Sequence, residues 1–266
     1  MKYSIDHDYH IHSCLSPCSQ DPAQNPNAIL NYALQNGFKK ICLTDHFWDD
    51  AIAGASEWYK PQNLAHIKKS LPLPQTDGVQ FFFGAETDMD RFMTVGCSLK
   101  TLEELDFLIV STTHLHMKGF TYSDQDNSLE GKINLWEKRL HALLDNDLPW
   151  HKIGLAHITT HLIENHIDTD HVTLYSKISE QTYGKAFSRC AEKGIGVELN
   201  FNSFSYDGER LKTILRPYFI AKDCGCKFYF GSDAHHPDKL SCAKANFENI
   251  VNLLDLTEND RFNFPL

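Results

Sequence analysis

Seven short apolar, β-branched or aromatic runs recur along the chain, and most are separated by stretches with helical spacing. Parallel strands cannot be joined by tight turns and need a crossover, usually a helix, so this beat predicts an α/β fold with parallel strands. The runs are Ser4 to His10, Lys40 to Thr44, Val79 to Ala85, Asp106 to Ser111, Lys152 to Ala156, Ile195 to Asn200 and Lys227 to Gly231. Between them, Asn25-Pro26 opens a helix that Gly37 stops, and a short helix falls around Leu64 to Lys69. Ser128 to Asn146 carries Leu129, Ile133, Trp136, Leu140 and Leu144 on one stripe, which reads as core. Further helices are expected over Ser176 to Lys193, over Gly208 to Cys224 with an interruption at Pro217, and over Pro237 to Leu254. The long connection from Phe47 to Gly78 reads either as a binding loop or as decoration on the scaffold. No repeat or linker divides the 266 residues, so one domain over 1–266 is expected.

What stands at the ends of these runs is the second constraint. His10/His12, Asp45/His46, Glu86, His114, His157, Glu198/Asn200 and Asp233/His235 lie at or just beyond the seven carboxyl ends. In a closed parallel barrel those ends converge on one face, where such barrels place their chemistry. Side chains on a strand alternate, so His10 and His12 project the same way, about 7 Å apart along the strand, and can share one ion. Asp8 has the same parity and is a candidate to accept the outward ring N–H of a ligating histidine.

Imidazole plus carboxylate favours zinc, manganese or iron over calcium or magnesium. Two or three such ions, held by neutral histidines and only two carboxylates, Glu86 and Asp233, keep excess positive charge and favour an anion. Metal-bound water loses its proton near neutral pH, and paired ions clamp the oxygens of a displacement at phosphorus.

A formal charge of −10 disfavours wrapping extended nucleic acid, which is driven by Lys and Arg, and leaves room for a small anionic substrate. Met1 to His7 lacks the apolar stretch of a secretory signal and no run is long enough to span a bilayer, so no membrane partner and a cytoplasmic location are expected. The eight cysteines are then reduced thiols, with Cys224-Gly-Cys226 a helix-ending turn. His161, His166 and His171 read as loop histidines.

Taken together, Asp-Tyr-His10-Ile-His12-Ser, Thr-Asp45-His46, Gly-Ala-Glu86, Ser-Thr-Thr-His114, Leu-Ala-His157, Val-Glu198-Leu-Asn200 and Gly-Ser-Asp233-Ala-His235 resemble the PHP (polymerase and histidinol phosphatase) metal-dependent phosphoesterases. The resemblance implies a distorted (β/α)7 TIM-like barrel with up to three metals at the C-terminal ends of the strands. It implies that His10, His12, Glu86 and Asp233 surround one ion, that Glu86 bridges to a second held by His114 and His157, and that His46 and His235 hold a third. Where many relatives offer another histidine after H-x-H, this chain has Cys18, whose thiolate is expected to serve the third ion. Within the family the chain looks most like the stand-alone histidinol-phosphate phosphatases, although Phe201-Asn202-Ser203-Phe204 lacks the basic residue many of them carry after E-x-N.

The implied reaction is hydrolysis of a small phosphomonoester, histidinol phosphate or a similar metabolite, by a metal-bridging hydroxide. Asp45 or a nearby histidine, His235, would handle the leaving-group proton, and His116, Asn200, Arg210 and His236 would meet phosphate or other polar groups of the substrate. Three rival readings are an amidohydrolase-like C–N hydrolase, a nuclease or nucleotide phosphatase of the same family, and a non-catalytic metal-binding module.

Overall fold

The strand runs are buried on both faces, which is why they read as continuous apolar stretches rather than alternating ones. In the computed structural model, which describes residues 1–164 and 167–264, they form β1 (His7–Ile11), β2 (Lys40–Leu43), β3 (His46–Phe47), β4 (Gln80–Asp88), β5 (Phe107–Ser111), β6 (Ile153–Leu155), β7 (Gly196–Asn200) and β8 (Lys227–Gly231). The ladders between these strands are parallel, in the order β1-β2-β4-β5-β6-β7-β8, and the two-residue β3 adds to β4 beyond the end of β2. The path nearly closes. Asp233 N–H donates to His10 O (2.7 Å) and His12 N–H to Ala234 O (3.1 Å), which ties the end of β8 to β1. The fold is therefore the α/β fold with parallel strands that the strand-and-helix beat predicted, in the distorted TIM-like barrel form that the family resemblance implied.

Local chemistry explains the crossovers. Asn25 accepts from the backbone N–H groups of Asn27 and Ala28, Pro26 opens the helix Pro26–Asn36, and Gly37 closes it in the left-handed region at φ 69°. Ser128 caps Leu129–Leu144, whose buried side chains include Leu135, Trp136, Leu140 and Leu144. Three expectations are corrected. Ser176 to Lys193 is two helices, His171–Lys177 and Glu180–Lys193, because Ile178 is extended and Ser179 starts a new helix by accepting from Thr182 N–H. Pro217 does not interrupt Gly208–Asp223, where Ile214, Leu215 and Tyr218 are buried on either side of it. The last helix divides into Pro237–Leu240 and Ala243–Leu254. His171 thus begins a helix, while His166 lies outside the described residues.

The barrel floor is aromatic. Tyr9, Phe82, Phe107 and Tyr229 point inward and the C-terminal Phe262 and Phe264 cover them from below, so the interior is a packed core and chemistry is confined to the opposite rim. An inward glycine makes room for what lies above. A Cβ at Gly231 would collide with Glu198 Oε1 and stand 2.7 Å from the His10 Cβ, so only glycine lets β7 and β1 bring these two side chains together. Among the described residues no helix is long and apolar enough to cross a membrane.

Candidate metal centre

At the rim, β1 delivers His10 and His12, β4 delivers Glu86, and the turn after β8 delivers Asp233. Asp233 sits at φ 50°, in the left-handed region, where its backbone N–H can reach His10 O while its carboxylate faces the two histidines. His10 Nε2 and His12 Nε2 lie 3.0 Å apart and each lies 3.3 Å from Glu86 Oε2. Asp233 Oδ1 is 3.5 Å from His10 Nε2 and 3.3 Å from His12 Nε2. A tetrahedral ion with 2.0–2.1 Å bonds needs its donors roughly 3.3–3.4 Å apart, so these four atoms have the spacing of one coordination sphere.

Two more donor groups share members with the first. Glu86, His114 and His157 converge, with Glu86 Oε1 3.0 Å from His157 Nε2 and the two imidazoles stacked at 4.5 Å. His12, His46 and His235 form the third, their rings lying against His12 at 4.5 and 4.1 Å. The carboxylate of Glu86 is the hinge of the arrangement, since it belongs to two groups and its Oε2 is also 3.1 Å from His46 Nδ1. Both of those atoms are buried and, among the described residues, make no hydrogen bond. Buried polar atoms aimed at one another without partners are costly, and a cation between them would satisfy them. The donor set therefore fits divalent metal.

The electrostatics agree. Burial alone would lower the pKa of His10, yet Glu198, Asp233 and Glu86 outweigh it and raise it well above the ordinary imidazole range. Burial would raise Glu86 and Asp233, but the surrounding histidines hold both well below the usual carboxylate range. The buried carboxylates thus call for positive charge at their centre, which protons on the histidines or a metal cation can supply.

The layer behind the donors departs from expectation. Asp8 does not orient a ligating histidine: its carboxylate accepts from Ser232 N–H (3.0 Å), His10 N–H (3.3 Å) and Tyr32 O–H (2.9 Å). The orienting group is Glu198, whose Oε1 accepts from His10 Nδ1 at 2.7 Å and whose Oε2 accepts from His157 N–H at 2.5 Å. Asp88, two residues past Glu86 on the same face of β4, is 3.2 Å from His114 Nδ1 and accepts from Tyr59 O–H at 3.0 Å. A third run that stops at Ala85 passes over this residue, although E-x-D at a period of two is a signal for it.

Other expected residues sort clearly. Asp45 is buried behind His12, accepting from Ser13 and Ser16 hydroxyls at 2.7 Å, and Ser16 Oγ is in turn 3.0 Å from His12 Nδ1. It does not line the cavity above the donors. Cys18, exposed at the rim, lines that cavity beside His46 and Glu86 but joins none of the three donor groups. Arg210 is also outside: it pairs with Asp170 at 3.2 Å on the exposed flank and lies over the Tyr206 ring. His116, Asn200, His235 and His236 do line the cavity.

That cavity has two halves meeting at His114, Leu162, Asp233 and His235. One, of about 410 Å³, is lined by Lys239, His236, Asn202, Ser203 and Tyr206. The other, of about 530 Å³, is walled by Trp58, Tyr59, Met117 and His116.

Fold and site together define a class: parallel barrels with a histidine and carboxylate metal centre at the strand ends. The chain belongs to the PHP domain family, whose pattern it matches over residues 8–202. No curated protein matches the sequence. Among solved structures it is similar to a histidinol phosphate phosphatase from Lactococcus lactis subsp. lactis Il1403, complexed with zinc, L-histidinol and phosphate. The TM-score is 0.66 at 17% identity, covering 95% of this chain and 94% of that one. Weaker likenesses are to a chain of archaeal ribonuclease P with mature tRNA (TM-score 0.43, 10% identity, 93% and 91% covered) and to A. niger ochratoxinase (0.44, 10%, 96% and 68%). Family membership and the donor groups support a metal-dependent phosphoesterase.

Proposed function

We propose that this protein hydrolyses a small phosphomonoester, with histidinol phosphate the first substrate to try, using two to three divalent transition-metal ions of the zinc, manganese or iron type. The observation that carries the proposal is Glu86, a buried carboxylate shared between two groups of histidines and aimed at a third. His10, His12, Glu86 and Asp233 would hold one ion, Glu86, His114 and His157 a second, and His46 and His235 a third. When bound, such ions supply an ionised water as nucleophile and neutralise charge on phosphoryl oxygens.

The chain's own residues do the rest. Glu198 holds His10 with Nε2 turned to the centre, and Asp45, acting through Ser16, does the same for His12. Of the two residues expected to handle the leaving-group proton, His235 is the one that reaches the cavity; its Nδ1 is engaged by Asp233 O at 2.8 Å, so its remaining nitrogen, Nε2, would either ligate a third ion or, with two ions bound, carry the leaving-group proton. Lys239, His236 and Asn200 line the half where an anionic phosphoryl group finds positive charge and hydrogen bonds. The similarity to a phosphatase solved with L-histidinol and phosphate supports the substrate choice.

The test is a panel of histidinol phosphate, sugar phosphates and nucleotides, with amides and lactones alongside, assayed with the metal-loaded protein. Phosphate release from a phosphomonoester, reduced to background in His12→Ala, is expected. Turnover confined to the amides or lactones overturns the proposal.

A further inference from the structure

We propose that Lys132, a fully buried lysine outside the cavity, is a positioning residue for the donor group of Glu86, His114 and His157, acting through the main chain that carries His114. The inference rests on the metal centre described above and adds a residue to what holds it. Past the end of β5 at Ser111 the chain runs through Thr112, Thr113 and His114 to Leu115 and His116 without helix or strand. Its buried carbonyls therefore need partners from elsewhere, because water is not at hand as an alternative. Thr112 O is met by Arg139 Nε at 2.8 Å, Thr113 O by Leu115 N–H at 2.8 Å, and Leu115 O by Lys132 Nζ at 2.5 Å. His114 is thus bracketed by two carbonyls that two cations of one helix, Leu129–Leu144, hold in place. Lys132 and Arg139 stand two turns apart on that helix and project from the same face.

What singles out Lys132 is the cost of burying it. Its ammonium is shut off from water, pairs with no carboxylate among the described residues, and lies 3.3 Å from the centre of the Tyr122 ring. A buried ammonium loses hydration that one carbonyl and one ring face only partly replace, whereas methionine would fill a similar volume without that loss. Stability alone therefore does not explain the charge. Geometry at the far end of the contact does. His114 Nδ1 faces Asp88 Oδ1 at 3.2 Å, so the reach of the ring toward Glu86 and His157 depends on where the main chain holds it. On the other side the Thr113 hydroxyl donates to His157 O at 3.2 Å, so the same segment sets the separation of the two histidines. Lys132 itself lines neither half of the cavity.

The experiment is stepwise zinc affinity, read by competition with a chromophoric chelator on the full chain, for wild type, Lys132→Met, His114→Ala and the double variant. Leu140→Ala, a core truncation of the same helix, controls for lost stability, and circular dichroism verifies folding. One zinc is expected to bind about tenfold more weakly in Lys132→Met, the lower end for a partner behind a ligand, while the others stay within about twofold. His114→Ala should weaken that same ion, and the double variant should bind it no worse than His114→Ala alone, since Lys132 acts through His114. Leu140→Ala should leave every affinity unchanged. Unchanged affinities in Lys132→Met, a uniform loss across all ions, losses that add in the double variant, or the same selective loss in Leu140→Ala overturn the inference and leave the metal centre standing. A wild-type protein that binds no zinc overturns the metal centre itself and this inference with it. Should Lys132→Met not fold, the comparison passes to Lys132→Gln, whose amide ends one atom short of the contact with Leu115 O and should weaken the same ion.

Discussion

Glu198→Gln separates the layer that orients the donors from the donors themselves. Both oxygens of Glu198 are committed, Oε1 to His10 Nδ1 at 2.7 Å and Oε2 to the main-chain N–H of His157 at 2.5 Å, and Asn200 Nδ2 points at Oε1 from 3.4 Å. Glu198 thus faces three donors and is wholly buried. A glutamine can offer its oxygen to only one side. The His157 N–H has no alternative, so the amide NH2 turns to His10, which must then carry its proton on Nε2, the nitrogen facing the metal donors. The Gly231 backbone packs so closely on Oε1 that even a Cβ there would collide with it, which leaves no space for the side chain to swing away. Losing such an orienting partner weakens metal binding about 10–100-fold, or about 1.4–2.7 kcal/mol. The assay is competition with a chromophoric chelator at fixed pH, with circular dichroism to verify that the barrel remains folded. A folded Glu198→Gln protein that binds metal within about twofold of wild type would refute the reasoning, because it would mean His10 does not depend on Glu198 for its tautomer.

Two further predictions concern the scaffold. Arg139 is fully buried with no ion pair to a carboxylate among the described residues and instead donates to the carbonyls of Thr112, Asp90, Thr121 and Met89, locking the segments that follow β4 and β5. Arg139→Met strands those carbonyls and should cost about 3–5 kcal/mol in urea unfolding, and a loss under about 1 kcal/mol would mean they find other partners. Asp6 is raised by burial but held down to about 2 by hydrogen bonds from His7 and Arg261. Its folded pKa lies below its unfolded one, so its contribution, about 1–2 kcal/mol after solvent screening, is present above about pH 4 and is lost as pH falls through about 2. Asp6→Asn should flatten that part of the stability curve, and an unchanged slope would contradict the pairing.

The beat of strands and the residues at their ends are legible in the sequence because both are local: apolar runs report burial and the residue after a run reports the rim. What lies beyond its reach depends on which strands become neighbours. A period of two puts Asp8 on the same face as His10, yet the partner of His10 comes from β7, two strands away around the barrel, and no local pattern announces that. Asp45 occupies a strand-end position like the ligands, but the serines at 13 and 16 turn toward it and hold it behind His12. Arg210 sits on a helix flank where Asp170 and Tyr206 engage it, and spacing alone does not distinguish that flank from the rim. Asp88 is within reach of the sequence and escapes only because β4 outruns its apolar core by three residues, from Glu86 to Asp88.

The measurement that bears most directly on the whole account is phosphate release from a phosphomonoester before and after exhaustive metal removal, with the metal content of the same samples determined by mass spectrometry. Loss of activity with loss of metal, and its return when two to three equivalents of zinc, manganese or iron are restored, is the predicted result. Undiminished phosphate release from protein shown to be free of metal would contradict it.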